Sequence, residues 1–184
     1  MVRSLALLAL LVGCRDVQPE TLPEMDPVDA LIRVSLDLRG VRPLPADIRE
    51  VLADESALEG KIDAYLADER VGARVADMYS EIYLTETESF QIGVGAFDEL
   101  AGVSQQAFQA AVGQEPLRFI EEVVKRDLPW TTLVTADWTM TNEITGAIWP
   151  VDYPAGQTGW QQTRYTDTRP NAGVLSMNLS LIHI

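Results

Sequence analysis

The feature that most limits this chain is its punctuation. Proline, glycine and capping residues break the apolar pattern so often that only short helices fit between them. Asp26-Pro27 places a side-chain acceptor just before a residue whose φ is already helical, an N-cap followed by a first-turn proline. Val28, Leu31, Ile32, Leu36 and Leu38 follow at helical spacing, and Gly40 ends the run. Pro43 and Pro45 form a stiff turn. A second helix runs from about Ala46 to Ala53 and buries Ile48, Val51 and Leu52. Ser56 and Glu59 have capping-box spacing, ahead of a helix carrying Leu58, Ile62, Tyr65 and Leu66. Arg70 to Leu84 supplies a fourth helix, with Val71, Val75, Met78, Tyr79 and Ile82 on one face.

Thr85 to Gly102 contains Gly93, Gly95 and Gly102 and reads as a loop between two helical groups. Ser104 caps the next helix, which weakens at Gly113 and restarts at Pro116. Leu117, Phe119, Ile120, Val123 and Val124 form its buried side. Glu121 with Lys125 and Glu122 with Arg126 are i,i+4 pairs in the favourable order, and the two cations suit the helix C-terminus. Pro129 stops the helix. Leu133 to Met140 carries the next apolar residues, and Asn142 caps a short helix over Glu143 to Trp149. From Pro150 to Pro170 no helical period remains, and Trp160 to Tyr165 reads as short strand.

The expected fold is therefore mainly α, a bundle of short helices in two groups followed by an irregular region with short strands. The expected divisions are a leader at 1–13, a tether at 14–25 and a first helical domain at 26–84. A linker at 85–103 leads to a second helical domain at 104–149. The segment 150–178 is irregular and contains the start of a further domain at Asn171, and 179–184 stands apart.

The leader decides the compartment. Arg3 precedes an apolar run from Leu5 to Val12 that is too short to span a bilayer as a helix. It ends in Leu11-Val12-Gly13-Cys14, which resembles a bacterial lipobox. Cleavage within the membrane needs apolar positions before the scissile bond and a small Gly13 beside it, and the Cys14 sulfur takes a diacylglycerol. The expected processing partners are lipid-transfer enzymes and signal peptidase II. The expected location is the bacterial cell envelope, with the protein held to a membrane by its lipid. Cys14 is the only Cys in the chain, so a disulfide framework or thiolate metal site within the chain is excluded. Fourteen basic against 28 acidic residues give a net charge of −14, which argues against nucleic acid as a partner.

The last six residues, Leu179-Ser180-Leu181-Ile182-His183-Ile184, coincide with the translation of a transposase-type sequencing adapter. That reading makes His183, the only histidine, foreign to the protein and places its natural continuation beyond Asn178. It leaves no imidazole for catalysis or metal binding.

Two stretches carry a family resemblance. Leu31 to Tyr83 contains Leu36-Asp37-Leu38-x-Gly40, the Pro43-x-Pro45 turn and Arg74 within its helix. It resembles helical domains of unknown function in planctomycete and myxobacterial envelope proteins associated with cytochrome c modules. Pro116 to Trp149 resembles their companion domain through Arg126, Asp127, Pro129, Leu133, Asp137, Trp138, Thr139, Asn142 and Glu143. Asn171-Ala172-Gly173-Val174-Leu175 resembles the start of a third. The resemblance implies a redox or polysaccharide-processing neighbourhood, with a cytochrome c or other envelope protein as partner, but transfers no catalytic residue. This chain has no C-x-x-C-H, so a c-type haem belongs to sequence outside it or to a partner.

Candidate chemistry is sparse. Asp137 and Glu143 are the best acid pair for a carboxylate-based hydrolase, against a capping role for Asn142 and Glu143 and a turn role for Asp137. Glu81, Glu86, Glu88, Asp98 and Glu99 lack calcium-loop spacing. Trp130, Trp138, Trp149 and Trp160 fit core and loop anchors as well as a binding platform. Gly93-x-Gly95 lacks the third glycine of a nucleotide fingerprint. Asp37 is expected to pair with an arginine of the following helices, fixing their crossing, with Gly40, Pro45 and Arg74 as further structural positions. The expected function is a non-catalytic, membrane-anchored scaffold or docking module. The alternatives are a hydrolase of extracellular polymers and an electron-transfer protein whose haem site lies elsewhere.

Overall fold

A computed structural model describes residues 24–85, 93–170 and 172–177. The leader with Cys14, Glu86, Glu88, Asn171 and the terminal six residues lie outside the described residues. The fold is mainly helical. The first group comprises α1 (Pro27–Arg39), α2 (Pro45–Ala53), α3 (Ala57–Leu66) and α4 (Arg70–Tyr83). The second has α5 (Gln105–Lys125), α6 (Thr132–Thr135), β1 (Thr139–Thr141), α7 (Glu143–Ile148) and β2 (Gln161–Thr163). Among the described residues no helix is long and apolar enough to cross a membrane.

α1 starts and stops where its caps direct. Asp26 accepts from the Val28 and Asp29 amides at 2.9 and 3.3 Å, and Gly40 closes the helix at φ +70°, a conformation costly for any residue with a Cβ. Pro45 is the first residue of α2 rather than only part of the preceding turn. Leu31, Val51 and Tyr65 are buried together, with Val28, Leu38, Ile48 and Leu58 packed around them. Each such side chain contributes about 1.5–3 kcal/mol on full burial.

The capping box expected at Ser56 and Glu59 does not form. Ser56 is itself helical, with no side-chain cap bond. Its hydroxyl donates to Asp54 Oδ1 at 2.7 Å, and its amide donates to the same oxygen at 3.0 Å. The charged acceptor two residues earlier takes the turn.

Asp37 also departs from expectation. It pairs with Arg33 one turn back at 3.5 Å, both side chains mostly exposed. The ion pair that ties the end of α1 to the α3–α4 junction is Arg39 with Asp68, at 3.6 Å, on side chains only 8% and 15% exposed. Arg39 also donates to Ser35 Oγ at 2.6 Å and lies 3.4 Å over the Tyr65 ring. Tyr65 donates to Asp47 at 2.8 Å, and Lys61 bridges Asp47 and Glu50 at 2.9 and 2.6 Å. Arg39 wins over Asp37 because the last turn of α1 points at the α3–α4 junction, whereas Asp37 faces solvent.

α5 is continuous through Gly113 and Pro116, where a break was expected. Gly113, Glu115, Pro116 and Leu117 are all buried. Packing on several sides holds a turn that local propensity alone would weaken. Phe119, Ile120 and Val123 form a core with Leu133, Met140 and Met177, and Val75 and Tyr79 of α4 pack against it. α4 meets α5 closely: a Cβ at Gly72 would stand 3.0 Å from the Glu121 carbonyl. The connection ahead of α5 is packed as well, since Leu100 is buried with Phe108 and Val112, and Phe97 stacks against Phe108 at 5.6 Å.

The strand expected near Trp160 is β2. It pairs antiparallel with β1, aligning Thr139 with Thr163 and Thr141 with Gln161, and just beyond β2 an isolated antiparallel bridge joins Tyr165 to Val151. The chain then returns to α6. The Gly173 amide donates to the Ala136 carbonyl at 3.2 Å, φ there is +53°, and a Cβ would overlap the Leu133 carbonyl. Met177 is fully buried, so residues 172–177 belong to the core around α5.

Two outcomes follow from the polar girdle of the first group. Arg39→Ala is expected to lower unfolding stability by about 2 kcal/mol, because it removes the tie from the end of α1 to Asp68, leaves Ser35 without its donor and exposes the Tyr65 face. Asp37→Ala is expected to leave the urea midpoint unchanged. Equal effects would contradict the assignment. The Asp68 carboxyl is held well below its ordinary range, first by the Arg70 side chain and then by the Arg70 amide. Burial raises that of Asp47, but hydrogen bonds from Lys61 and Tyr65 outweigh it and the net direction is down. A depressed carboxyl contributes stability that is complete above the unfolded pKa, about 3.9, and is lost as pH falls toward the folded value. Stability is therefore expected to drop below about pH 4, and less steeply in Asp68→Asn. A pH series of denaturant melts checks this.

Candidate functional site

Helical spacing carries one acid into the interior. Glu115 stands three residues after Val112 and four before Phe119, on the stripe of α5 that faces the core, and it is fully buried. A carboxyl group there must find hydrogen-bond partners. Thr139 of β1 donates its hydroxyl to Glu115 Oε1 at 2.8 Å, and Tyr165, just beyond β2, donates to the same oxygen at 3.0 Å. Buried Thr141 and Thr163 share a 2.9 Å hydrogen bond across the two strands. Helix α5, the β1–β2 pair and Tyr165 thus meet along a buried polar seam, and the C-terminal strap, residues 172–177, is tied to it through Arg169, which lies on the Tyr165 ring and donates to the Ser176 carbonyl at 3.4 Å.

Polar contacts continue outward from Tyr165 to Arg169. Burial, then the Glu115 charge and its hydrogen bond, push the Tyr165 phenol far above its ordinary range, so it remains a donor. The Arg169 guanidinium lies 4.0 Å over the Tyr165 ring and 6.0 Å from that of Trp149. Asp167 holds Arg169 from Nε and Nη2 at 2.9 and 2.7 Å, which raises the Arg169 pKa and lowers that of Asp167. A cleft of about 280 Å³ opens beside this pair, lined by Asp167, Arg169, Pro170, Ala172, Leu175 and Ser176.

Each acid of the sequence-derived pair has its own partner. Asp137 faces Arg164 at 3.2 Å on an exposed surface, and Glu143 accepts from the Gly159 amide at 2.7 Å. Neither lines the cleft beside Arg169. Asn142 caps α7, accepting from the Ile144 and Thr145 amides at 3.1 and 3.0 Å, while Thr145 Oγ1 accepts from the Asn142 amide. Arg74 is half-buried, its Nε has no hydrogen-bond partner, and its Cδ lies 3.8 Å from where a Cβ on Gly40 would stand. Among the described residues no three His, Cys, Asp or Glu stand together to hold a metal ion. The four tryptophans fasten loops to the body. Trp138 packs on Phe119 at 4.5 Å, Trp149 on Phe97 at 6.5 Å and Trp130 on Tyr79 at 5.7 Å, while Trp160 joins the Phe119 core.

Sequence reasoning missed Glu115, Tyr165 and Arg169. The available signal was an acid on an otherwise apolar helical stripe; nothing local marks Tyr165 or Arg169 as its complement. The geometry supplies a dry, hydrogen-bonded strut. Glu115 has no exposed surface through which to reach a substrate.

Residues 10–99 match the family model PSCyt2, described as a protein of unknown function (DUF1549). The match spans α1 to α4, in line with the helical domain of unknown function expected from Leu31 to Tyr83, and stops short of Glu115. No curated protein and no solved structure matches the chain.

Tyr165→Phe is expected to lower stability by about 1–3 kcal/mol by removing a donor from a buried carboxylate. The same change in a Glu115→Gln background is expected to have a smaller effect. Additive losses in the denaturant melts of this double-mutant cycle would show that the two residues are not coupled.

Proposed function

We propose that the chain is a lipid-anchored, non-catalytic helical scaffold of the bacterial cell envelope that docks a redox or polysaccharide-processing protein, such as a cytochrome c. The single observation that carries the reading is Leu11-Val12-Gly13-Cys14 after a short apolar run led by Arg3. Lipid-transfer enzymes move a diacylglyceryl group from a phospholipid to the Cys14 sulfur, forming a thioether as the C–O bond to the phosphorylated headgroup breaks and that headgroup leaves, and signal peptidase II hydrolyses the peptide bond after Gly13. Residues 14–25 then separate the lipid from the start of α1.

The disposition of polar groups supports a structural role for the body. Glu115 is locked by hydroxyls from two other elements, Asp137 and Glu143 are engaged separately, and Asn142 terminates a helix. A c-type haem used by such an assembly would sit in sequence outside this chain or on the docked partner, because Cys14 is committed to the lipid.

The test is expression in a bacterium fed radiolabelled palmitate. The wild-type chain is expected to carry label and fractionate with membranes, and Cys14→Ser to lose both. A soluble, unlabelled wild-type product, or label retained in Cys14→Ser, would contradict the anchor.

A further inference from the structure

Among the described residues, two large apolar side chains on α4 lie outside every core. Met78 and Ile82 stand one turn apart and are 51% and 65% exposed. The sequence places them on the buried stripe, but that stripe is wider than the surface α4 packs against. Val71 and Ala76 are buried, and Val75 and Tyr79 join the core around Phe119, which leaves the next strip of the helix outside. Trp130, 49% exposed, stacks on Tyr79 at 5.7 Å. Ile82 is one turn on from Tyr79, so Trp130 borders the same strip.

The rim of this strip is acidic. Asp77 and Glu81, also one turn apart, are exposed, and neither forms an ion pair among the described residues. Arg74 lies one turn before Met78 but is half-buried, and Arg70 is bound by Asp68 at 2.7 Å.

We propose that the outer face of α4 is a docking surface for a partner segment that is apolar along its centre and basic along its edges. Met78 and Ile82 have the i,i+4 spacing by which a helix anchors an apposed amphipathic segment, and Asp77 and Glu81 select the flanking charge. Charge also rejects the competing occupants. A second copy would bring the same acidic rim and another −14 charges, and an anionic bilayer would be repelled for the same reason. The proposal deepens the docking reading above and rests on it, but does not depend on the lipid.

The probe is a fluorescein-labelled amphipathic helical peptide built only of leucine and lysine, titrated against the full chain and followed by anisotropy. A leucine–glutamate peptide of the same pattern is the control. The leucine–lysine peptide is expected to bind and the control is not. The charge-neutral double variant Met78→Ala, Ile82→Ala is expected to weaken binding about tenfold or more, the scale of a lost hot-spot pair. Asp77→Asn with Glu81→Gln is expected to weaken it several-fold and to flatten its salt dependence. Both variants change exposed side chains, and circular dichroism checks that they fold. Equal binding by wild type and the alanine variant would overturn the face as the site while leaving the docking reading standing. Binding of the acidic control, or no binding of the basic peptide, would overturn it too. A concentration-dependent dimer abolished by Ile82→Ala would assign the face to a second copy and overturn the proposal.

Discussion

A carboxylate cannot enter a dry interface unless donors meet it there, and Glu115 imposes that demand on everything C-terminal to α5. Thr139 has to arrive on a strand, Tyr165 has to arrive from the far end of the hairpin, and both have to present hydroxyls to one oxygen. Three further features adjoin that seam. A three-residue strand is buried along its whole length, and an otherwise irregular strap folds back until Met177 fills the core. The Arg169 guanidinium is laid on the phenol that carries the Glu115 hydrogen bond.

The same helix joins the two halves of the fold. α5 receives α4 on one side, where Gly72 lets the backbones come close, and the hairpin on another. Glu121 was readable as a surface partner of Lys125. It is also held by Arg118 and nearly buried, and burial pushes its carboxyl up while the two cations hold it below the ordinary range. α5 thus organises the fold through buried acids as well as through Phe119, Ile120 and Val123.

The sequence was most legible where structure is local. Asp26, Gly40, Ser104 and Asn142 each act within a few residues of themselves, and their caps are formed. Legibility failed where a distant element decides. Gly113 and Pro116 look like a weak point and a restart until their packed surroundings show one continuous helix. Asp37 and Arg39 are equally plausible bridge partners in a string of letters, and only the direction of the last turn of α1 separates them. Met78 and Ile82 share a helical stripe with Val75 and Tyr79, yet the limit of the buried strip is set by how wide a surface α4 meets. Glu115 and Tyr165 are fifty residues apart, and no local pattern links them. On function, the leader motif speaks to location and the body's polar residues speak to architecture.

The central claim is that the Glu115 seam binds strap, hairpin and α5 into one cooperative unit. Native-state hydrogen exchange addresses it most directly, by comparing the amides of β2 and residues 173–177 with those of α5. The account expects the best-protected amides of all three to open with the same free energy and the same denaturant dependence. Strap and hairpin amides that exchange through an opening far cheaper than that of α5 would contradict it.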